Sequence, residues 1–406
     1  MNHKSLKRLK WITIFLVMIL GIECLYVGYS YFFPKKTKVY FDGINDFITL
    51  KNEYVAVGSN NDNDMNLEKA KISKYNQDKE KTYEKLYNVG YNSAFFGIVE
   101  DEDTLVAVGS YEKTKEDHDN SVRRALIVKY DSSGEIVFEK DFSLLDNSKF
   151  TKIIVVSDGY FVIGQSVYKN TRVGAKEGGA ILVKYDKDGN FLWSQNFGNS
   201  KEAIFNDLLL IQDSIYIVGS KDSSTGVIMC YSTEGNLLFE EETVGVIEDG
   251  YSGIISDGEF LYITGTMKVN EEKANAILVK YNLGGEKIGE VQYQDENRSS
   301  YLKPMFDSED YIVVIGSLSL PREDDHQTVS SFNLDGLIGK YTKELKEVSV
   351  VSYGDEKDDY FTDITMENND YMIVGYSSFE EGSYYSKFIR YSNALKLLGV
   401  SKWKLH

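Results

Sequence analysis

Residues 178–224 read GGAILVKYDKDGNFLWSQNFGNSKEAIFNDLLLIQDSIYIVGSKDSS, and their pattern decides the fold. An apolar run ends at Tyr185, turns at Asp186 to Asn190, and continues through FLWSQNF. A second apolar run, IFNDLLLI, is followed by the polar Gln212, Asp213 and Ser214 and then by IYIVGS, which contains Gly219. Short runs rich in branched aliphatic and aromatic residues, separated by Gly, Asn and Asp, read as strands in tight hairpins, because those turn residues reach positive φ at little cost. The inner runs are apolar at successive positions instead of alternating. Such strands are covered on both faces.

Outward from this stretch the pattern repeats. A run ending in Gly recurs at Gly58, Gly109, Gly164, Gly219, Gly265, Gly316 and Gly375, at intervals of 51, 55, 55, 46, 51 and 59 residues. A run ending in Tyr keeps step at Tyr75, Tyr130, Tyr185, Tyr231, Tyr281, Tyr341 and Tyr391. Each unit opens on an aromatic residue, Phe95, Phe150, Phe205, Tyr251, Tyr301 or Phe361, with Ile44 in that place in the first. Seven units of four strands whose inner strands need cover front and back predict an all-β, seven-bladed β-propeller of four-stranded antiparallel blades. A parallel β-helix needs shorter periods, and an open solenoid needs capping ends that this chain lacks. The chain has only 3 Pro, which suits a fold built of ladders that proline would interrupt.

The 178–224 unit resembles the bacterial seven-bladed β-propeller repeat, whose units alternate an alanine-apolar-Lys strand, an Asp-x-x-Gly turn and a strand ending in apolar-Thr/Val-Gly. The resemblance extends over seven copies from about residue 44, strongest in the second, third and fifth. It is weaker in the first, sixth and seventh, where the glycine of the turn after Tyr75, Tyr341 and Tyr391 is missing. The resemblance implies a fold found in envelope and secreted proteins, with no shared catalytic residues. Ring closure has two candidate outer strands, Lys396 to Trp403 and Lys38 to Phe41. The C-terminal one is expected in the regular fourth position, with the other as a fifth strand or clasp.

The 406 residues carry 45 Lys+Arg and 63 Asp+Glu, a formal charge of −18. That balance excludes a nucleic-acid partner. Two Cys cannot form a disulfide scaffold, and four scattered His argue against a dedicated zinc site. Residues 11–33, WITIFLVMILGIECLYVGYSYFF, are long enough to cross a bilayer, and Lys4, Lys7, Arg8 and Lys10 precede them. Glu23 within that span costs about 3 kcal/mol, which the surrounding aliphatic residues offset. The expectation is a cytoplasmic basic stub and signal-anchor helix over residues 1–37, N-terminus inside, and an extracytoplasmic propeller over 38–406 in a single-pass bacterial cell-surface protein. Cleavage near Gly28-Tyr29-Ser30, releasing a secreted form, and lipid attachment at Cys24 are the alternatives. Without residues 1–38 the chain holds 38 basic and 62 acidic residues, a charge of −24.

Chemistry is sparse. The Asp186 to Asn190 turn echoes part of a calcium loop but lacks its distal Glu, and it sits at a repeat turn. Calcium is the one weak cofactor candidate, and otherwise no cofactor is expected. A sialidase-type Asp-box spacing is absent, and Trp193 has no counterpart in other copies for a quinoprotein reading. His118 and His326 lie in acidic variable loops and read as solvated. The best-placed constellation comes two residues after each opening aromatic: Asp46, Gly97, Lys152, Asp207, Gly253, Lys303 and Asp363. These are expected to ring one mouth of the central channel, with Asp355, Glu356, Asp358 and Asp359 in the adjoining loop. The loops 60–69, 111–124, 166–179 and 318–334 surround the same mouth and vary most, where recognition resides. The structural alternative is that the ring residues cap strand ends and bond to neighbouring blades. Two functional classes follow: a membrane-anchored module binding or scaffolding a protein, glycan or envelope component, or a carboxylate-dependent glycoside hydrolase or lyase.

Overall fold

The structure, a computed structural model, describes residues 41–402 except 52, 62–66, 88, 168–177, 199–201, 322–331, 355–357 and 381–382. The described residues all belong to the second of two units into which the chain divides, Tyr40–His406. The expected anchor at 11–33 therefore lies outside the described residues, among which no helix is long and apolar enough to cross a membrane.

The second unit is an all-β propeller of seven four-stranded antiparallel blades, spanning 41–86, 92–142, 147–197, 204–244, 246–293, 298–353 and 359–402. Each blade is a meander, with its first strand innermost and its fourth at the rim. The second strands are enclosed, as in Tyr54–Asn60 where every residue is buried, whereas the outer strand Ile136–Phe142 is mostly exposed. Neighbouring blades supply the cover. Seven apolar clusters sit one between each adjacent pair, for example Phe161 and Leu182 of blade 3 against Ile217 and Met229 of blade 4. At about 1.5–3 kcal/mol for each large side chain removed from water, these seams hold the ring. One departure from all-strand structure is a short helix, Lys115–Asp119, in the loop between the second and third strands of blade 2.

The repeat markers have a common physical origin. In blades 2, 3, 5 and 6 the opening aromatic meets the third-strand tyrosine of the same blade edge-on: Phe95 with Tyr130, Phe150 with Tyr185, Tyr251 with Tyr281 and Tyr301 with Tyr341. In blades 4 and 7, Phe205 and Phe361 stack on Phe197 and Tyr353 of the preceding blade. In blade 1, where Ile44 replaces the aromatic, Tyr75 packs against Phe388 of blade 7 instead. The marker glycine lies opposite a bulge in the innermost strand. A Cβ on Gly109 would collide with the Ala94 carbonyl, and one on Gly219 with the Ile204 carbonyl.

Closure follows the expected arrangement. Leu397–Lys402 forms the fourth strand of blade 7 against Ser383–Ser392, and Trp403 lies outside the described residues. Phe41 and Asp42 run parallel to Tyr384 and Tyr385, so the start of blade 1 clasps the third strand of blade 7. The weakly matching turns of blades 1, 6 and 7 keep the same shape without glycine: Lys79, Leu345 and Leu395 hold φ of 66°, 62° and 55°.

Candidate functional site

Every innermost strand carries an extra residue relative to its partner immediately after the opening marker: Asn45, Phe96, Thr151, Asn206, Ser252, Leu302 and Thr362. A bulge re-aims the side chains on either side of it. These seven residues, with Asp46, Lys152, Asp207, Lys303 and Tyr376, line a cavity of about 270 Å³ at the channel mouth. Sequence reasoning found the residue after each bulge and missed the bulged residue itself. The signal was available, because the conserved offset between marker aromatic and ring residue leaves one position unassigned in every unit.

Of the ring residues, Asp46, Lys152, Asp207 and Lys303 line the cavity, whereas Gly97, Gly253 and Asp363 do not, and the three aspartates also fasten blades. Asp46 accepts the Ile98 N–H of blade 2 at 3.0 Å, Asp207 the Ile254 N–H of blade 5 at 3.1 Å, and Asp363 the Phe47 N–H of blade 1 at 3.3 Å. The bulged residues work in the opposite sense: Asn45 Nδ2 donates to the Phe95 carbonyl at 2.7 Å, Asn206 Nδ2 to the Tyr251 carbonyl at 2.9 Å, and Thr151 Oγ1 to the Phe205 carbonyl at 3.4 Å. Blades 2 and 5 place Gly97 and Gly253 where the next blade's backbone approaches, at Thr151 O and Leu302 O. The blade-to-blade reading of these positions is therefore correct for the aspartates.

Charge at the mouth is unevenly shared. Lys152 Nζ lies 3.3 Å from Asp46 Oδ1, and Lys303 lies 3.9 Å from the same oxygen while pairing with Asp363. Burial pushes the Asp46 carboxyl up, but Lys152, Lys303 and the Ile98 N–H outweigh it and hold the group below its ordinary value. Asp363, 1% exposed, is pushed up to about 6, chiefly by burial and further by the neighbouring Asp46 charge. Asp207 is also held above its ordinary value by burial. Burial opposes the charge on Lys152, but Asp46, Asp207 and Asp363 outweigh it and hold the ammonium above its usual range.

The adjoining acids are placed elsewhere. Asp359 is fully buried in an ion pair with Lys387 and accepts the Ser377 hydroxyl, while Asp358 accepts the Leu334 N–H at 3.1 Å. Neither lines the mouth cavity: Asp358 lies just before the inner strand, and Asp359, its first residue, is turned to Ser377 and Lys387 of its own blade. Asp355 and Glu356 lie outside the described residues, as does His326. His118 is partly solvated, its side chain 39% exposed, but it is also held in place. Its Nδ1 is 2.5 Å from the buried Glu112 carboxylate, which also holds Arg123 at 3.1 Å, and Tyr91 covers its ring. Asp186 behaves as a turn residue: one oxygen accepts the Asp188 and Asn190 N–H groups and the other the Asn190 side chain. Among the described residues no group of three or more His, Cys, Asp or Glu is disposed to hold a metal ion.

No model of a known protein family matches this chain, and no curated protein sequence matches it. Solved structures match its shape. It is similar to the β-propeller domain of the Trilobed protease from Pyrococcus furiosus, described as having an open velcro topology, at 11% identity over 86% of this chain and 93% of that one, with TM-score 0.50. It is similar to the periplasmic gluconolactonase of Pseudomonas aeruginosa at 10% identity over 86% and 94%, with TM-score 0.53. Puromycin hydrolase matches at 10% identity with TM-score 0.52; the chain covers only 54% of its length. Identities this low establish the propeller fold and carry no activity across.

Proposed function

We infer that this chain is a binding or scaffolding module that seats its ligand at the channel mouth, held at the outer surface of a bacterial membrane by residues 11–33. The ligand class is a protein, a glycan or another envelope component. The observation that carries the reading is the convergence of all seven bulged residues on one cavity, combined with lysines already paired to Asp46 and Asp363. A site of that kind presents fixed polar groups without a free nucleophile and base. Replacing Asp46, Asp207 and Asp363 together by Asn tests it: a folded protein that still binds its ligand rules out the mouth. Thermal shift of the full chain with calcium and a panel of envelope glycans narrows the ligand, and digestion by protease added to intact cells checks the outside location.

The enzymatic alternative rests on one observation. Asp363 sits above its ordinary value beside Asp46 below its own, and carboxyls pushed apart in this way suit acid and base roles. Asp363 is closed off, however, by Lys303 and the Phe47 and Ile364 N–H groups. Glycan hydrolysis or cleavage lost in Asp363→Asn but retained in Lys152→Met would favour the enzyme.

A further inference from the structure

Four of the five charged groups at the mouth form one closed cluster, with Lys152 on Asp46 and Lys303 between Asp46 and Asp363. Asp207 on blade 4 stands outside it. Its two oxygens accept the Leu208 N–H at 3.0 Å and the Ile254 N–H at 3.1 Å, and it forms no ion pair with any described residue. It is partly exposed and lines the cavity. Two nearby neutral groups spend a donor on the backbone. Asn45 gives one of its two amide hydrogens to the Phe95 carbonyl and keeps Oδ1 as an acceptor, and Thr151 gives its hydroxyl hydrogen to a backbone carbonyl. What remains for a ligand is a carboxylate with no ion-pair partner among the described residues, which Lys152 and Lys303 reach only at longer range, with the Asn45 and Thr151 side-chain oxygens as further acceptors and net charge −1 over the five ionised groups.

We propose that Asp207 is the anchor of a subsite for a primary ammonium group on an aliphatic stem. An ammonium has three donors and no acceptor, which suits the Asp207 carboxylate with the Asn45 and Thr151 oxygens, and Phe96 and Leu302 on the same cavity offer apolar surface to the stem. Burial leaves the Asp207 carboxyl above its ordinary value, so a cation beside it relieves a cost that the fold leaves standing. Lys152 does not fill this role because its ammonium is turned to Asp46. The inference rests on the channel mouth being the binding site. The shared chemistry has two sources, a free alkylamine or the lysine side chain of a partner peptide.

The test follows the Asp207 carboxyl carbon by nuclear magnetic resonance in the full chain, titrated with n-butylamine, n-butanol, butyrate and a lysine-containing tetrapeptide. The expected result is saturable movement of the Asp207 signal with butylamine, none with butanol or butyrate, and at least tenfold weaker amine binding by calorimetry in Asp207→Asn. Tenfold tighter binding of the peptide than of butylamine assigns the source to a partner lysine; equal or weaker binding assigns it to a free amine. A signal unmoved by either amine overturns the inference. Saturable binding of butyrate or a neutral sugar, lost in Asp207→Asn while butylamine has no effect, overturns the ammonium but keeps the mouth. Amine binding that survives both Asp207→Asn and the mouth-filling Leu302→Arg overturns both. Circular dichroism melting of each variant separates loss of ligand from loss of fold.

Discussion

The inner strands run from the channel mouth to the opposite face, and the acids gathered at the two faces meet opposite electrostatic conditions. At the far end Asp101 accepts the Tyr160 hydroxyl at 2.6 Å, Lys129 at 2.9 Å and Lys187 at 2.6 Å, which joins blades 2 and 3. Asp307 takes Lys340 and the Tyr371 hydroxyl, both at 2.8 Å, between blades 6 and 7. Glu367 takes Lys79 at 2.8 Å, and Lys79 also donates to the Tyr54 hydroxyl, between blades 7 and 1. In all three, burial pushes the carboxyl up, but the lysines and phenols outweigh it and hold it low; Asp101 falls to about 2. At the mouth three aspartates share two lysines, and Asp363 and Asp207 stay high. Satisfied charges close the ring at one end. Unsatisfied ones mark where a ligand has something to add.

The largest effect that sharpens this contrast belongs to the far face. Lys340→Met leaves the buried Asp307 carboxylate without its cation, held only by the Tyr371 hydroxyl and the Glu309 and Tyr311 N–H groups, and a denaturant midpoint should show a loss of about 3 kcal/mol. Ligand binding at the mouth should be unchanged. Asp207→Asn should change stability by less than about 1 kcal/mol, since it removes a charge whose burial is already unfavourable.

The next effect is in pH dependence. Asp363 binds its proton more tightly folded, at about 6, than unfolded, near 3.9. Its contribution to stability therefore rises as pH falls from about 7 to 4, by about 2–3 kcal/mol. Asp101, at about 2, behaves in the reverse sense, and its contribution is lost as pH falls from about 4 to 2. Melting temperatures of Asp363→Asn should lose the rise between pH 7 and 4 and keep the fall below it.

The smallest effect concerns the closing seam. Glu367→Gln weakens one clamp while the apolar seam of Ile44, Phe47, Tyr54 and Phe388 remains. A loss of about 1 kcal/mol is expected, with faster amide exchange in blades 1 and 7 than in blades 3 to 5.

The two faces were not equally legible in the sequence. The seven units, the ring of residues after each opening aromatic, and the C-terminal closing strand follow from period and pattern, because each depends on local strand chemistry repeated in step. The far-face clamps depend on Lys and Tyr residues 28 to 288 positions from their acids, with Asp101 and Tyr160 59 apart, and scattered charges in an acidic chain do not announce such pairs. Asp359 illustrates the same limit: beside Asp358 in sequence it read as loop charge, yet Lys387 and Ser377 enclose it. His118 was hidden for the matching reason, since Glu112 reaches it only because the Lys115–Asp119 helix folds back over the strand. The turns at Lys79, Leu345 and Leu395 look like breaks in the repeat. They are not, because neighbouring contacts hold a positive φ without glycine.

Site-resolved titration of the aspartate carboxyls by carbon-13 nuclear magnetic resonance, assigned through single Asp→Asn variants, tests the central contrast most directly. The account predicts that Asp363 titrates at about 6 and Asp207 above its ordinary value, while Asp101 titrates at about 2 and Asp307 below its ordinary value. If all four lose their protons together below pH 4, the two ends of the inner strands are electrostatically alike and the mouth has no special claim to a ligand.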